Sequence, residues 1–178
     1  MAALAAEGSS NPYWSDESEE LPRVARILSI LKRQPDVSRI AFFVGKSNND
    51  NFVAYRWDSE KASLTPFWIS TVNVPAERRD PLNLAESMLY GIEMQVTQTG
   101  EWLVNIACEQ LRNRVMNLNL DENDQPALVG VVSGRMCVIE YAYVQMRKGL
   151  LPDVDWVRLT GRDVKTGETV SEILKNFN

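Results

Sequence analysis

Chemistry in this chain has to be done without histidine. The 178-residue sequence contains none, which removes Ser-His-Asp and Cys-His nucleophile systems in their common form. It also removes His-containing zinc sites and facial-triad iron sites. Carboxylate, Lys, Tyr, Cys and Arg chemistry remains, and Lys46, Tyr55 and Glu140 are the strand residues suited to acid–base work. No residue is assigned a catalytic role on this basis, and neither a cofactor nor a metal is expected. The two cysteines, Cys108 and Cys137, form no CxxC pair and are too few for a structural zinc site. Each sits in an apolar, strand-like run, which reads as a buried free thiol. A cross-strand disulfide is the alternative and would require an oxidising compartment.

The acidic stretch Asp121-Glu122-Asn123-Asp124 lacks the spacing of a calcium loop. Pro126 stands where an EF-hand needs glycine, and no bidentate glutamate closes the frame. It reads as a solvated turn. Gly130-Val131-Val132-Ser133-Gly134 has neither the glycine pattern nor the following Lys-Ser/Thr of a phosphate loop, and reads as a tight hairpin. Arg112, Arg114, Arg147, Lys148, Arg158 and Arg162 are scattered, and the net charge is -5. A nucleic-acid surface, which needs clustered cations, is therefore not expected.

Four of the five tryptophans, Trp57, Trp68, Trp102 and Trp156, fall in strand-like segments. Large aromatics dominate buried area, so core packing is one reading. The other is an aromatic-lined cavity holding a small apolar or conjugated ligand, with Tyr55, Arg56 and Glu140 as the polar groups that orient it. The partners expected are thus a small apolar ligand or a protein.

These residues need elements to hold them. The first twenty residues are small and polar, then acidic. They lack the basic and long apolar regions of an intact signal peptide. They read as a flexible segment over 1–17; the alternative is the remnant of a trimmed targeting sequence, which would make this an exported or organelle-targeted protein. Residues 18–33 place Leu21, Val24, Ile27, Leu28 and Leu31 on one broad face, which predicts an amphipathic helix ended by Pro35. Pro22 puts the start of its regular part a few residues after Ser18.

From residue 38 the period changes to two. Strands are predicted over 39–45, 52–57, 64–71, 102–108, 113–120, 127–133, 136–147, 155–160 and 168–174. Asp80-Pro81 reads as a helix start, with Asp as N-cap, for a short helix to about Gly91 that lies across the sheet or runs directly into a strand over 92–97. With no βαβ alternation, the fold expected is mainly β: an antiparallel β-sandwich or barrel of eight to nine strands with two accessory helices, in one domain over 18–178. No apolar run approaches the ~20 residues of a membrane helix.

Four stretches together carry a resemblance. They are Ala41 to Tyr55 (AFFVGKSNNDNFVAY), Thr65 to Ile69 (TPFWI), Leu89 to Ile92 (LYGI) and Asp155 to Val170 (DWVRLTGRDVKTGETV). In that order they resemble a family of small β-rich proteins, domain-of-unknown-function family 4833. That family carries an F-Y-I-Q-R-[SD]-x-N-x-N-T-x-V-Y hairpin, a V-x-W-I-R strand, an F-A-Y-G helix end and a closing L-x-G-x-D-x-x-T-G hairpin. The resemblance spans about residues 38–175. It implies a compact β-fold and brings no reaction with it. The family's Gln-Arg is here Gly45-Lys46, and the Arg after Trp-Ile is here Ser70.

The function expected is a noncatalytic β-domain that binds a small apolar or conjugated ligand, through Tyr55, Arg56, Trp57, Trp68, Trp102, Glu140 and Trp156. An assembly subunit using the N-terminal helix and a sheet face is the alternative, and a histidine-free enzyme using Tyr, Lys or Glu is a third.

Overall fold

The computed structural model describes residues 17–48, 50–70, 78–147 and 153–175. Residues 1–16 of the expected tail, with Trp14, lie outside the described residues, as do Asn49 and Lys148. The described chain forms helix α1 (Glu17–Leu31), strands β1 (Ile40–Lys46), β2 (Phe52–Asp58), β3 (Ser63–Ile69) and β4 (Arg79–Pro81), and helix α2 (Leu84–Tyr90). Seven strands follow: β5 (Ile92–Val96), β6 (Trp102–Ile106), β7 (Met116–Leu120), β8 (Pro126–Val132), β9 (Arg135–Arg147), β10 (Asp153–Asp163) and β11 (Thr169–Leu174).

Period-two alternation of β-branched and aromatic residues makes these segments strands with one apolar face. In β1, Phe42, Val44 and Lys46 share a face, and the register of β2 and β3 sets Val53, Tyr55 and Trp68 beside them. Turn chemistry fixes the hairpins. Ser133 and Gly134 both have positive φ, the geometry of a two-residue primed turn between β8 and β9.

The thirteen-residue β9 organises the sheet. Along one edge it pairs antiparallel with β10 from Cys137 to Arg147, and β10 pairs in turn with β11. Its other edge is shared: residues 135–138 pair with β8, while 141–144 pair with β1. Two arms diverge from that edge, β1-β2-β3-β4 and β8-β7-β6-β5. They curl toward each other as a half-barrel over an inner core that includes Phe42, Tyr55, Ile106, Leu128, Ile139 and Leu159. The β1–β9 pair is parallel, so the sheet is mixed rather than the all-antiparallel sandwich or barrel expected from the sequence. Eleven strands form among the described residues against the eight to nine expected. Among the described residues the arms do not join through a ladder. Where β3 approaches β5, the Leu64 amide donates to Met94 Sδ at 3.1 Å instead of to a strand carbonyl.

Helix α1 covers the outer face of the β1 arm. Val24, Ile27, Ile30 and Leu31 pack against Phe43, Phe52, Tyr143 and Trp156 in a second apolar cluster. The helix starts at Glu17, before the sequence suggested, so Pro22 lies inside it beyond the first turn instead of within that turn. Glu20 is 1% exposed and pairs with Arg158 of β10 at 3.0 Å, and the Arg158 guanidinium lies 5.6 Å from the Trp156 ring. Helix α2 starts later than expected. Asp80 and Pro81 are taken up by β4, opposite Trp68 and Phe67. Asn83 is the N-cap: its side chain accepts from the Glu86 amide, and Glu86 accepts from the Asn83 amide in return. A reciprocal box satisfies two orphan donors at once, which Asp80 alone could not do. Both cysteines are buried and unbridged, as expected.

The β10–β11 turn is held by its own residues. Asp163 Oδ1 accepts from the Lys165 and Thr166 amides at 2.7 and 3.1 Å, and Gly167 has φ +73°. These backbone bonds hold the Asp163 carboxyl below the usual carboxylate range. A depressed folded-state pKa contributes stability that is present at neutral pH and lost as acid protonates the group.

Two stability tests follow from this packing. Glu20→Gln removes the carboxylate charge that faces Arg158 at 3.0 Å and is expected to cost about 3 kcal/mol, whereas Glu20→Leu combined with Arg158→Met recovers most of that loss. Urea melts of the two variants check it. Gly167→Val is expected to cost on the order of 1–3 kcal/mol through left-handed strain, and the exposed Lys165→Ala less than about 0.5 kcal/mol; equal melting midpoints for these two would refute the turn's folding role.

Candidate functional site

The inner face of the β1 arm ends at Lys46, and there three chain segments meet. Lys46 Nζ lies 4.4 Å from the centroid of the Trp68 ring and 5.5 Å from that of Tyr90. Trp68 and Tyr90 pack edge to face, 5.5 Å between centroids. Tyr90 is the last residue of α2, and its carbonyl accepts a buried hydrogen bond from the Tyr55 hydroxyl at 2.7 Å. Tyr55 in turn stacks on Phe42 with 4.2 Å between rings. Three of the four stretches that carried the family resemblance therefore converge: Lys46 and Tyr55 from the hairpin, Trp68 from the strand and Tyr90 from the helix end; the fourth runs through β10 into β11.

Gly91 makes this possible. Its amide donates to Ser87 O at 2.8 Å, and a Cβ added there would lie 2.1 Å from that same oxygen. Only glycine lets α2 turn directly into β5 while Tyr90 points inward.

Charge at this corner is unevenly compensated. Burial pulls the Lys46 ammonium below the ordinary lysine range, with Glu86 opposing that shift. Yet Glu86 is otherwise engaged. Its carboxylate accepts from the Asn83 amide, the bond that does most to hold it below the usual carboxylate range. No carboxylate lies within ion-pair distance of Lys46, and its Nζ meets no hydrogen-bond acceptor, among the described residues. The hydroxyls around it are weak acids: burial takes Tyr90 up to about 12, and Tyr55 well above the ordinary tyrosine range. Cys108, whose thiol donates to Gln110 Oε1 at 3.1 Å, is also pushed up by burial.

Of the side chains singled out from the sequence, Tyr55 and Trp68 belong to this corner, and so does Lys46. The structure places the others elsewhere. Trp57 and Trp102 pack edge to face at 6.0 Å, with the Trp57 indole donating to Asp124. Trp156 lies in the cluster under α1. Glu140 pairs with Arg162 at 3.0 Å. Arg56 faces Asp36, whose carboxyl the Arg79 guanidinium holds below the usual range, at a cleft of about 270 Å³ also lined by Asp58, Lys61 and Phe67. A further cleft of about 460 Å³ opens on the other side of α2, between Met88, Glu93, Asn105 and Arg112. Glu86 and Tyr90 were not picked out from the sequence. Their signals were the Asn83-x-x-Glu86 box and the Leu89-Tyr90-Gly91 stretch.

Tyr55→Phe removes the donor to the Tyr90 carbonyl, and an orphaned buried acceptor costs about 1–3 kcal/mol. Hydrogen exchange is expected to quicken across α2 first; unchanged α2 protection would show that this bond does not seat the helix.

A family model, Domain of unknown function (DUF4833), matches residues 42–173. No curated protein and no solved structure matches the chain. Among the described residues no helix is long and apolar enough to cross a membrane.

Proposed function

The chain belongs to the family described as Domain of unknown function (DUF4833), and from that premise we propose that it is a small-ligand-binding β-domain whose site is the Lys46–Trp68–Tyr90 corner. The observation that carries this reading is a half-buried lysine resting on two aromatic side chains, with no ion-pair partner among the described residues, at a point where three separate segments meet. A cation on aromatic faces gains about 0.5–2 kcal/mol, less than a direct carboxylate partner adds to a desolvated ammonium. The arrangement therefore holds Lys46 in place without neutralising it. Trp68, Leu82 and Met146 are only partly buried against the inner core and offer apolar surface for the body of a ligand. The inner space itself is filled by side chains such as Tyr55 and Leu128, both 0% exposed, so the ligand sits at the rim of the half-barrel. The weakly acidic Tyr55, Tyr90 and Cys108 argue for binding over catalysis.

Self-assembly through a sheet face is a second reading, favoured by one observation. Val131, Met136 and Val138, on adjoining strands, and Val164, next to Met136, are each between 36% and 50% exposed. The charges around them, Arg135, Arg162, Glu140 and Glu168, are balanced in sign, which suits a second copy of the same surface. Of the apolar face expected on α1, Val24, Ile27 and Leu31 are used inside the fold, while Leu21 and Leu28 are exposed.

A naphthalene-type aromatic probe titrated against the protein separates the two. Quenching of tryptophan emission that is at least tenfold weaker in Trp68→Ala, with the fold retained by circular dichroism, supports the corner. Equal binding by the variant rejects it. Mass measured by light scattering that rises with concentration, and falls in Val131→Glu, supports the second reading.

A further inference from the structure

We infer that the ligand of this corner carries a single negative charge, a carboxylate or sulfonate, that pairs with Lys46 Nζ. The inference rests on the binding reading above and adds the chemistry of the ligand's head group. Lys46 has three N–H donors, and among the described residues none meets an oxygen acceptor; its neighbours are ring faces that supply quadrupole attraction only. The carboxylate it feels, Glu86, is turned to the α2 N-terminus, where it accepts from the Asn83 amide. Moving Glu86 onto Lys46 would break the capping box and leave the Asn83 amide unsatisfied. The chain therefore supplies a partly dehydrated cation and directs its own carboxylate away from it. An anion from outside meets donors that are already desolvated, which is where a charge-assisted bond is strongest.

One charge fits better than two. A single ammonium neutralises one unit, and Glu86 stands close enough to influence the Lys46 titration, so a dianion such as a phosphomonoester is repelled. The stretch resembling the family keeps a cation here, Lys46 in place of Arg, and replaces the second Arg by Ser70. A single lysine is a point charge without the two-pronged fork that Arg offers to phosphate.

The test compares 2-naphthoate, neutral 2-naphthamide and 2-naphthyl phosphate on the intact chain, followed by tryptophan fluorescence. Naphthoate is expected to bind at least tenfold more tightly than the amide and more tightly than the phosphate. That preference disappears in Lys46→Met, whose circular dichroism and melting point stay close to those of the parent. The preference also fades as pH rises through the ammonium's titration, at a pH below the ordinary lysine range, while amide binding stays flat. Equal affinity for naphthoate and naphthamide, unchanged in Lys46→Met, overturns the anionic head group and leaves the ligand-binding site standing. Tightest binding of the phosphate overturns the single charge. If none of the three binds, the corner is not a ligand site and both readings fall.

Discussion

Everything in this fold follows from how the long strand β9 shares its edges. One edge is occupied along its length by β10, so β1 and β8 must divide the other between them. A strand running parallel and a strand running antiparallel cannot both continue along one edge, and the sheet forks. Each arm has one apolar face, so the two curl over a common core. Twist and curl bring β3 near β5, but no ladder closes the gap. Pro66 has no N–H, β4 pairs only with the far half of β3, and the Leu64 amide settles on a sulfur. The short α2 is seated by Tyr55 and turned by Gly91, and a cleft remains between β3, α2 and β5.

Two cations show how differently the fold treats charge. Arg158 lies under α1 and is matched by Glu20, itself buried, so the pair is a matter of packing: removing either partner strands the other in a poorly solvated place. Lys46, at the rim, has ring faces instead of a carboxylate. The nearby Glu86 is held by the helix cap, because an N-terminal box offers it fixed amide donors while the ammonium is reached only by a longer span. Arg158 is thereby committed to the fold, and Lys46 is left with bonding capacity.

Local pattern carried much of this into the sequence. Alternation located nearly every strand, the Asn/Asp and Gly stretches marked the hairpins, and the apolar neighbours of Cys108 and Cys137 foretold their burial. The pairing of β1 with β9 left no such trace, because residues about a hundred positions apart form a parallel ladder without any intervening turn to announce it. Glu20 read as an ordinary acidic residue at a helix start, since nothing nearby in sequence reveals Arg158. The tryptophans were read as one group because they share a residue type. Their registers send Trp57 and Trp102 to one end of the core, Trp68 to the rim and Trp156 to the opposite face of the sheet.

That distribution bears on why the candidate site lies where it does. A fully closed barrel removes its edges and buries the inner residues of every strand. A half-barrel closed by a seven-residue helix leaves the last inner positions of β1 and β3 only partly covered, and those positions hold Lys46 and Trp68. Apolar side chains at both places would have extended the core. A lysine there gives up hydration, and a tryptophan gives up full burial, and neither loss is offset by an internal ion pair. A change of side chains that lowers stability without a compensating contact inside the chain is where a contact from outside is to be sought. Three of the four stretches that carry the family resemblance converge on that same rim.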